Sequence, residues 1–167
     1  MERFLRVIDN LSQWSGKAFS FVLIAVVGTI CIEVVMRYGF NSPTIWAQET
    51  MQYLSGVTYI FGGAYALYAG AHVKVEVLAE RFGPRTRAVF DLITFPSFFV
   101  FAGALLWFGA EFAWDSILLK ESTFSGWAPP IWPIKLTIPV GTLLLFLQGL
   151  AKFLRDFRIA VGSQREY

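Results

Sequence analysis

Long apolar stretches, clumped aromatic residues and a shortage of charge predict an all-α integral membrane protein with four transmembrane helices. Of 167 residues, 56% are hydrophobic, 17% aromatic and 16% charged, where soluble domains usually carry about 25% charged residues. Residues 18–36 include one charge, Glu33, and residues 51–71 include none. A helix crosses a hydrocarbon core of about 30 Å with roughly 20 residues, so each stretch is long enough to span. The expected spans are 17–38, 43–72, 84–118 and 133–156, with an interfacial segment at 73–83, forming one membrane domain over 1–167 of long tilted or kinked helices.

Each element has its own markers. Arg3 and Arg6 precede the first apolar stretch as in a signal peptide, but the stretch is about twice the usual 7–15-residue length and has no small-residue cleavage site behind it. It is expected to stay in the mature chain. Helix one should end near Arg37, with Gly39 as its exit and Tyr38 and Phe40 at the interface. Ser42-Pro43 reads as an N-cap and first-turn pair, so helix two should start there and run to His72. At about 1.5 Å per residue it would be roughly 45 Å long, so its first turns stand outside the hydrocarbon or it tilts. His72 to Val77 alternates polar and apolar, yet a lone strand leaving a membrane helix has no partner for its backbone. A turn or short helix along the inner surface fits better, with Val73, Val77 and Leu78 toward lipid and Lys74 and Arg81 toward headgroups. Gly83-Pro84 opens helix three, in which Pro96 removes one hydrogen bond and predicts a kink. The Gly126–Pro133 segment, with Trp127 and Trp132 among three prolines, reads as a rigid loop before helix four.

Charge sets the orientation. The N-terminal segment, the middle loop and the tail hold eleven of the fourteen Lys and Arg residues; Arg37, Lys120 and Lys135 are the other three. By the positive-inside rule both termini and the middle loop are cytoplasmic. The net charge of +2 is this inner rim, and it does not suggest a nucleic-acid surface.

Groups able to do chemistry are few. The single cysteine, Cys31, excludes an internal disulfide or a cysteine-based metal site, and the single histidine excludes bis-histidine haem ligation within one chain. No catalytic group, metal or cofactor is expected. Glu33 and Arg37 are spaced i,i+4 near the outer end of helix one, which favours a paired anchor over a transport carboxylate. Glu111 and Asp115 form a second such pair at the outer end of helix three, simplest as a solvated helix end. Glu49, with Trp46 and Tyr53 on neighbouring helical positions, suits a docking face better than a catalytic base. His72 reads as an interfacial helix end rather than a proton carrier. Gly56, Gly62, Gly63, Ala66 and Gly70 give helix two a small-residue side that another helix can approach closely, and phenylalanines crowd helix three as a lipid- or partner-facing surface.

Three blocks in order, Arg37 to Thr50 (RYGFNSPTIWAQET), Phe61 to Leu78 (FGGAYALYAGAHVKVEVL) and Gly126 to Lys135 (GWAPPIWPIK), resemble the small membrane subunit of tripartite ATP-independent periplasmic (TRAP) transporters. Arg37-Tyr38 closing helix one, Trp46 and Glu49 opening helix two, and Gly70, His72 and Val73 closing it carry the pattern. The resemblance implies a bacterial inner-membrane protein of a sodium-coupled secondary transporter importing organic acids such as C4-dicarboxylates. In such systems a periplasmic substrate-binding protein delivers the acid to a large elevator-type membrane subunit, and the small subunit packs against that subunit's scaffold in equal number. The substrate site then lies in the partner, and this chain is not an enzyme. Arg37, Trp46, Glu49, Gly63, Gly70 and His72 become structural or interface positions, while Trp127, Pro130 and Lys135 become candidate contacts for the binding protein.

Independently of the resemblance, the sequence has no broken helix pair, no inverted repeat and no mid-span polar cluster of the kind a substrate site needs. Two other classes stay open on residues alone. One is a small proton-coupled four-helix exporter using Glu33; the other is a membrane anchor for a redox enzyme, which needs cofactor ligands.

Overall fold

The computed structural model describes residues 2–70 and 84–161. The described part is helical: α1 runs Glu2–Val34, a π-helical turn follows at Val35–Gly39, α2 is Ala47–Tyr68, α3 is Pro84–Leu118 and α4 is Trp132–Ala160. Helices α2 and α4 pack on each other, α1 lies against α2 and more lightly against α4, and α3 packs along α4. Three helical stretches, Leu5–Gly39, Val89–Leu118 and Trp132–Ala160, are long and apolar enough to cross a membrane. The 22 residues of α2 are diluted by glycines, tyrosines and polar side chains, and it is not among those three.

The helix that carries the first expected span, 17–38, itself starts at Glu2. The reason is an amphipathic spacing that the N-terminal charges conceal: Leu5, Ile8, Ser12 and Ser15 are buried at helical intervals, and Leu5 and Ile8 pack with Ala151, Leu147 and Leu154 of α4. The exit from helix one also differs. Gly39 is the last residue of the π-helical turn, and the left-handed residue is Asn41, at φ 49°; asparagine is one of the few side chains that tolerates this conformation. The Ser42 N–H closes the turn onto the Met36 carbonyl at 3.0 Å.

The Ser42-Pro43 pair does not open α2, which begins at Ala47 after Trp46. Thr44 is spent elsewhere, since both its N–H (3.1 Å) and its hydroxyl donate to Glu33 of α1. That holds 40–46 as a connector instead of a first helical turn. At the other end Gly70, at φ 69°, takes the left-handed position and its N–H reaches the Leu67 carbonyl at 3.3 Å, so the helix stops before the expected 72. His72 and the expected interfacial segment 73–83 lie outside the described residues.

The bounds of α3 are those expected, 84 and 118, and the helix continues through Pro96. Its C-terminus is a Schellman motif: Glu121 N–H donates to Ser116 O (3.1 Å), Lys120 N–H to Ile117 O (3.1 Å), and Lys120 sits at φ 47°. Pro133 in the first turn of α4 needs no hydrogen-bond partner there.

Glycines set the interhelical spacing, but not the expected ones. A Cβ on Gly16 would lie 2.4 Å from the Tyr65 ring, on Gly141 2.2 Å from Ile60, and on Gly149 2.1 Å from the Phe98 ring. These positions let α1 meet α2, α4 meet α2, and α4 meet α3. Gly56, Gly62 and Gly63 of α2 have nothing within 4 Å of such a Cβ. The phenylalanines of α3 divide in the same way. Phe95 and Phe99 lie edge-on to Phe153 at centroid distances of 5.3 and 5.9 Å, filling the α3–α4 seam, whereas Phe90, Phe101 and Phe108 are exposed.

Candidate functional site

Polar side chains gather at the two ends of the bundle. At the end where α1 passes into the 40–46 connector, Glu33 and Arg37 form the expected pair, with Arg37 Nη2 2.5 Å and Nε 2.9 Å from Glu33 Oε1. The other carboxylate oxygen of Glu33 is occupied by Thr44. The cleft beside it, lined by Thr29, Ile30, Glu33, Val34, Ala47, Gln48 and Met51, measures about 70 Å³. Ligand pockets occupy roughly 300–1,000 Å³. Both oxygens of the Glu33 carboxylate thus have partners, beside a space well below that range.

Glu49 lies in the first turn of α2, where the helix dipole favours an acid. Its Oε2 accepts a 3.3 Å hydrogen bond from Thr123 of the 119–131 connection. That connection is tied internally: Ile131 N–H donates to Glu121 O at 2.9 Å, Thr123 N–H to Pro129 O at 3.1 Å, and Ser122 and Pro130 form an isolated antiparallel bridge. Ser125 Oγ accepts from the Ala128 N–H at 3.1 Å, which holds Ala128 in its left-handed conformation. Trp46 is partly exposed just before α2, and its carbonyl accepts the Thr50 hydroxyl at 2.9 Å. Trp127 is partly exposed at the tip of the connection. Glu111 and Asp115 are exposed on the last turns of α3.

Lys135 faces inward rather than out. Its Nζ is 2.5 Å from Glu121 Oε2 and 3.8 Å from the centre of the Phe112 ring, and its side chain is 13% exposed. Ser116 Oγ adds a 2.8 Å hydrogen bond to the same carboxylate. Glu121 is therefore held below its ordinary value near 4.5, first by the hydrogen bond from Lys135 and then by that from Ser116, against a smaller opposing effect of burial.

The opposite end of the bundle holds a network absent from the sequence expectations. Ser12 Oγ donates to Gln148 Oε1 at 2.9 Å, Gln148 Nε2 donates to Asp9 Oδ1 at 3.1 Å, and Arg155 Nη2 is 2.5 Å from Asp9 Oδ2. Lys152 pairs with Asp91 of α3 and, at 2.7 Å, with Asp156. The signal was present, because Gln148, Lys152 and Arg155 recur at i, i+4 and i+7 on one face of α4. Through these residues α4 ties α1 and α3 together. Between the two ends, Thr29 and Thr58 donate to carbonyls four residues back in their own helices.

Gly63 faces open space and Gly70 ends α2, so neither converges with Arg37 or Glu49. Arg37 and Glu49 serve separate clamps, one onto Glu33 and one onto Thr123. Among the described residues no group of three or more His, Cys, Asp and Glu is arranged to hold a metal ion.

Comparison with known proteins gives these clamps a setting. The C4-dicarboxylate TRAP transporter small permease protein DctQ of Rhodobacter capsulatus is 32% identical over 114 residues, covering 66% of this chain and 50% of that protein. The sialic acid TRAP transporter small permease protein SiaQ of Vibrio cholerae is 20% identical over 160 residues, 94% of this chain and 87% of that protein. The sialic acid TRAP transporter permease protein SiaT of Haemophilus influenzae is 26% identical over 101 residues, 58% of this chain but 16% of that protein. The chain thus spans half the length of the R. capsulatus relative. These relatives are transporter permeases, not enzymes. The model of the tripartite ATP-independent periplasmic transporters' DctQ component matches residues 26–159, most of the chain, and the chain belongs to that family.

Proposed function

We propose that this chain is the small integral-membrane scaffold subunit of a sodium-coupled secondary transporter that imports organic acids such as C4-dicarboxylates. It packs against a large elevator-type membrane subunit, which holds the substrate and the ions, and a periplasmic binding protein delivers the acid. The observation that carries this reading is how the polar groups are used. Glu33, Glu49, Glu121, Asp9 and Gln148 each have a partner within the chain, at one end of the bundle or the other. Close glycine and phenylalanine contacts pack the helices against one another. Such an arrangement, among the described residues, supports rigidity and a scaffold role. The SiaT relative adds support for the large partner, since a segment similar to this chain makes up 16% of a longer permease.

In this reading all four helices span the inner membrane. At about 1.5 Å per residue the 22 residues of α2 reach roughly 33 Å, enough for the hydrocarbon core. Its modest hydropathy fits a helix whose open glycine side is covered by a partner instead of lipid. The distribution of Lys and Arg supports cytoplasmic termini. The family pattern supports structural roles for Arg37, Trp46, Glu49, Gly63, Gly70 and His72, and Trp127 and Pro130 on the outer connection are where a binding protein would touch. The exporter reading has no support at Glu33, whose oxygens are taken by Arg37 and Thr44.

The test is Glu49→Ala in the intact system. It releases the 119–131 connection from α2, and uptake or the yield of the complex should fall while membrane insertion is unchanged. Full uptake together with full complex yield contradicts the assigned role.

A further inference from the structure

The N-terminal part of α1 carries two apolar stripes, and only one is used inside the chain. Leu5 and Ile8 are buried against α4, whereas Val7, Leu11 and Trp14, spaced i, i+4 and i+7, are 56%, 47% and 72% exposed. Arg3, Arg6 and Lys17 are exposed along the flank of this second stripe. Asp9 does not offset them, because Arg155 holds its carboxylate against α4. Seven residues beyond Trp14 the same face of the unbroken helix presents Phe21, 71% exposed, and then Ile24, 67% exposed, within the apolar span.

Length sets the depth of the stripe. Residues 2–39 are continuously helical and extend about 57 Å at 1.5 Å per residue, against about 30 Å of hydrocarbon. Counting roughly 20 residues inward from Arg37 puts the inner edge of the hydrocarbon near Lys17. Trp14 then lies at headgroup depth, where indole rings concentrate, and Val7 and Leu11 lie just beyond. An apolar stripe flanked by cations, continuous with a span's exposed surface and carrying a tryptophan at the boundary, has the composition of an interfacial helix.

We infer that the Arg3–Lys17 segment of α1 is a docking surface for anionic phospholipid headgroups of the inner leaflet. Arg3, Arg6 and Lys17 contact the phosphates, and Val7, Leu11 and Trp14 enter the headgroup–acyl boundary as the helix tilts. Anionic lipid thereby sets the tilt of α1 and, through Asp9 and Ser12, of the α4 to which it is tied. The inference rests on the cytoplasmic placement of the N-terminus proposed above.

The experiment uses the full chain, co-expressed with the large subunit proposed above, carrying Leu11→Cys in a Cys31→Ser background and a nitroxide label. Accessibility to oxygen and to a water-soluble nickel chelate is read in phosphatidylcholine vesicles and in vesicles where a quarter of the lipid is phosphatidylglycerol. The oxygen-to-nickel ratio should rise several-fold with phosphatidylglycerol, and the rise should disappear in the Arg3→Ser, Arg6→Ser, Lys17→Ser variant. A ratio that ignores lipid composition overturns the inference, as does a label shielded from both reagents, which would mean that protein covers the stripe. Orientation is read separately with Asn10→Cys in the same Cys31→Ser background and an impermeant maleimide. Labelling only after permeabilisation supports the inner-leaflet assignment; labelling of intact cells overturns the placement of the N-terminus and the inference with it.

Discussion

Asp9 and Arg155 are joined by a 2.5 Å ion pair that ties the first turns of α1 to the last turns of α4. The two residues are 146 positions apart, and Gln148 and Ser12 extend the contact into the bundle. Exposed ion pairs contribute little, and the Arg155 side chain is 38% exposed. The stabilising part is accordingly expected in the fully buried Ser12–Gln148 contact.

Gln148→Leu keeps the volume but removes both side-chain hydrogen bonds, leaving the Ser12 hydroxyl buried without its acceptor. The expected cost is about 1–3 kcal/mol, read as a lower unfolding midpoint in detergent. Adding Ser12→Ala should recover part of it, because the orphaned hydroxyl is then gone. An unchanged midpoint for Gln148→Leu alone contradicts this assignment.

The 119–131 connection should respond to acid. Glu121 has a folded-state value below the ordinary 4.5, so its contribution is fully present above pH 4.5 and is lost as the pH falls through the lowered value. Hydrogen exchange of residues 119–131 should be protected equally at pH 7 and pH 5 and lose protection below the ordinary carboxylate range. Lys135→Met removes the first cause of the shift, so loss of protection should begin at higher pH. The same acid midpoint in wild type and variant counts against the pair.

Two glycine substitutions should differ in sign. Gly149→Ala gains up to about 1 kcal/mol of helix propensity but drives a methyl group to 2.1 Å from the Phe98 ring, and overpacking costs about 1–3 kcal/mol. Net destabilisation of the α3–α4 seam is expected. Gly103→Ala meets nothing within 4 Å and should be neutral or stabilising in the chain purified alone. Equal effects in thermal unfolding would remove the argument for close packing at Gly149.

Gly63→Leu separates folding from assembly. With open space around Gly63, the isolated chain should keep its unfolding midpoint, while recovery of the large subunit on a tagged small subunit should drop several-fold. Undiminished recovery shows that this side of α2 is not an interface.

The helical class and the bounds of α3 were legible because long apolar runs, a proline start and a polar exit act locally. Glu33 and Arg37 were legible for the same reason, one helical turn apart. The start of α2 was not: Ser42-Pro43 is a sound local cap, and the competing bonds from Thr44 to Glu33 require knowing how the connector folds back over α1. The role of Lys135 was hidden likewise, since Glu121 lies across the connection. The N-terminal extension of α1 was less legible, because charges interrupt its apolar run and the helical spacing of Leu5, Ile8, Ser12 and Ser15 shows only as burial in the fold.

The most direct measurement of the central claim is affinity purification of the tagged chain, expressed from its own operon in mild detergent, with quantitative identification of what accompanies it. A large polytopic membrane protein in equal amount is the expected result. A chain that purifies alone as a stable homodimer, and that supports drug efflux abolished by Glu33→Gln, would contradict the scaffold account.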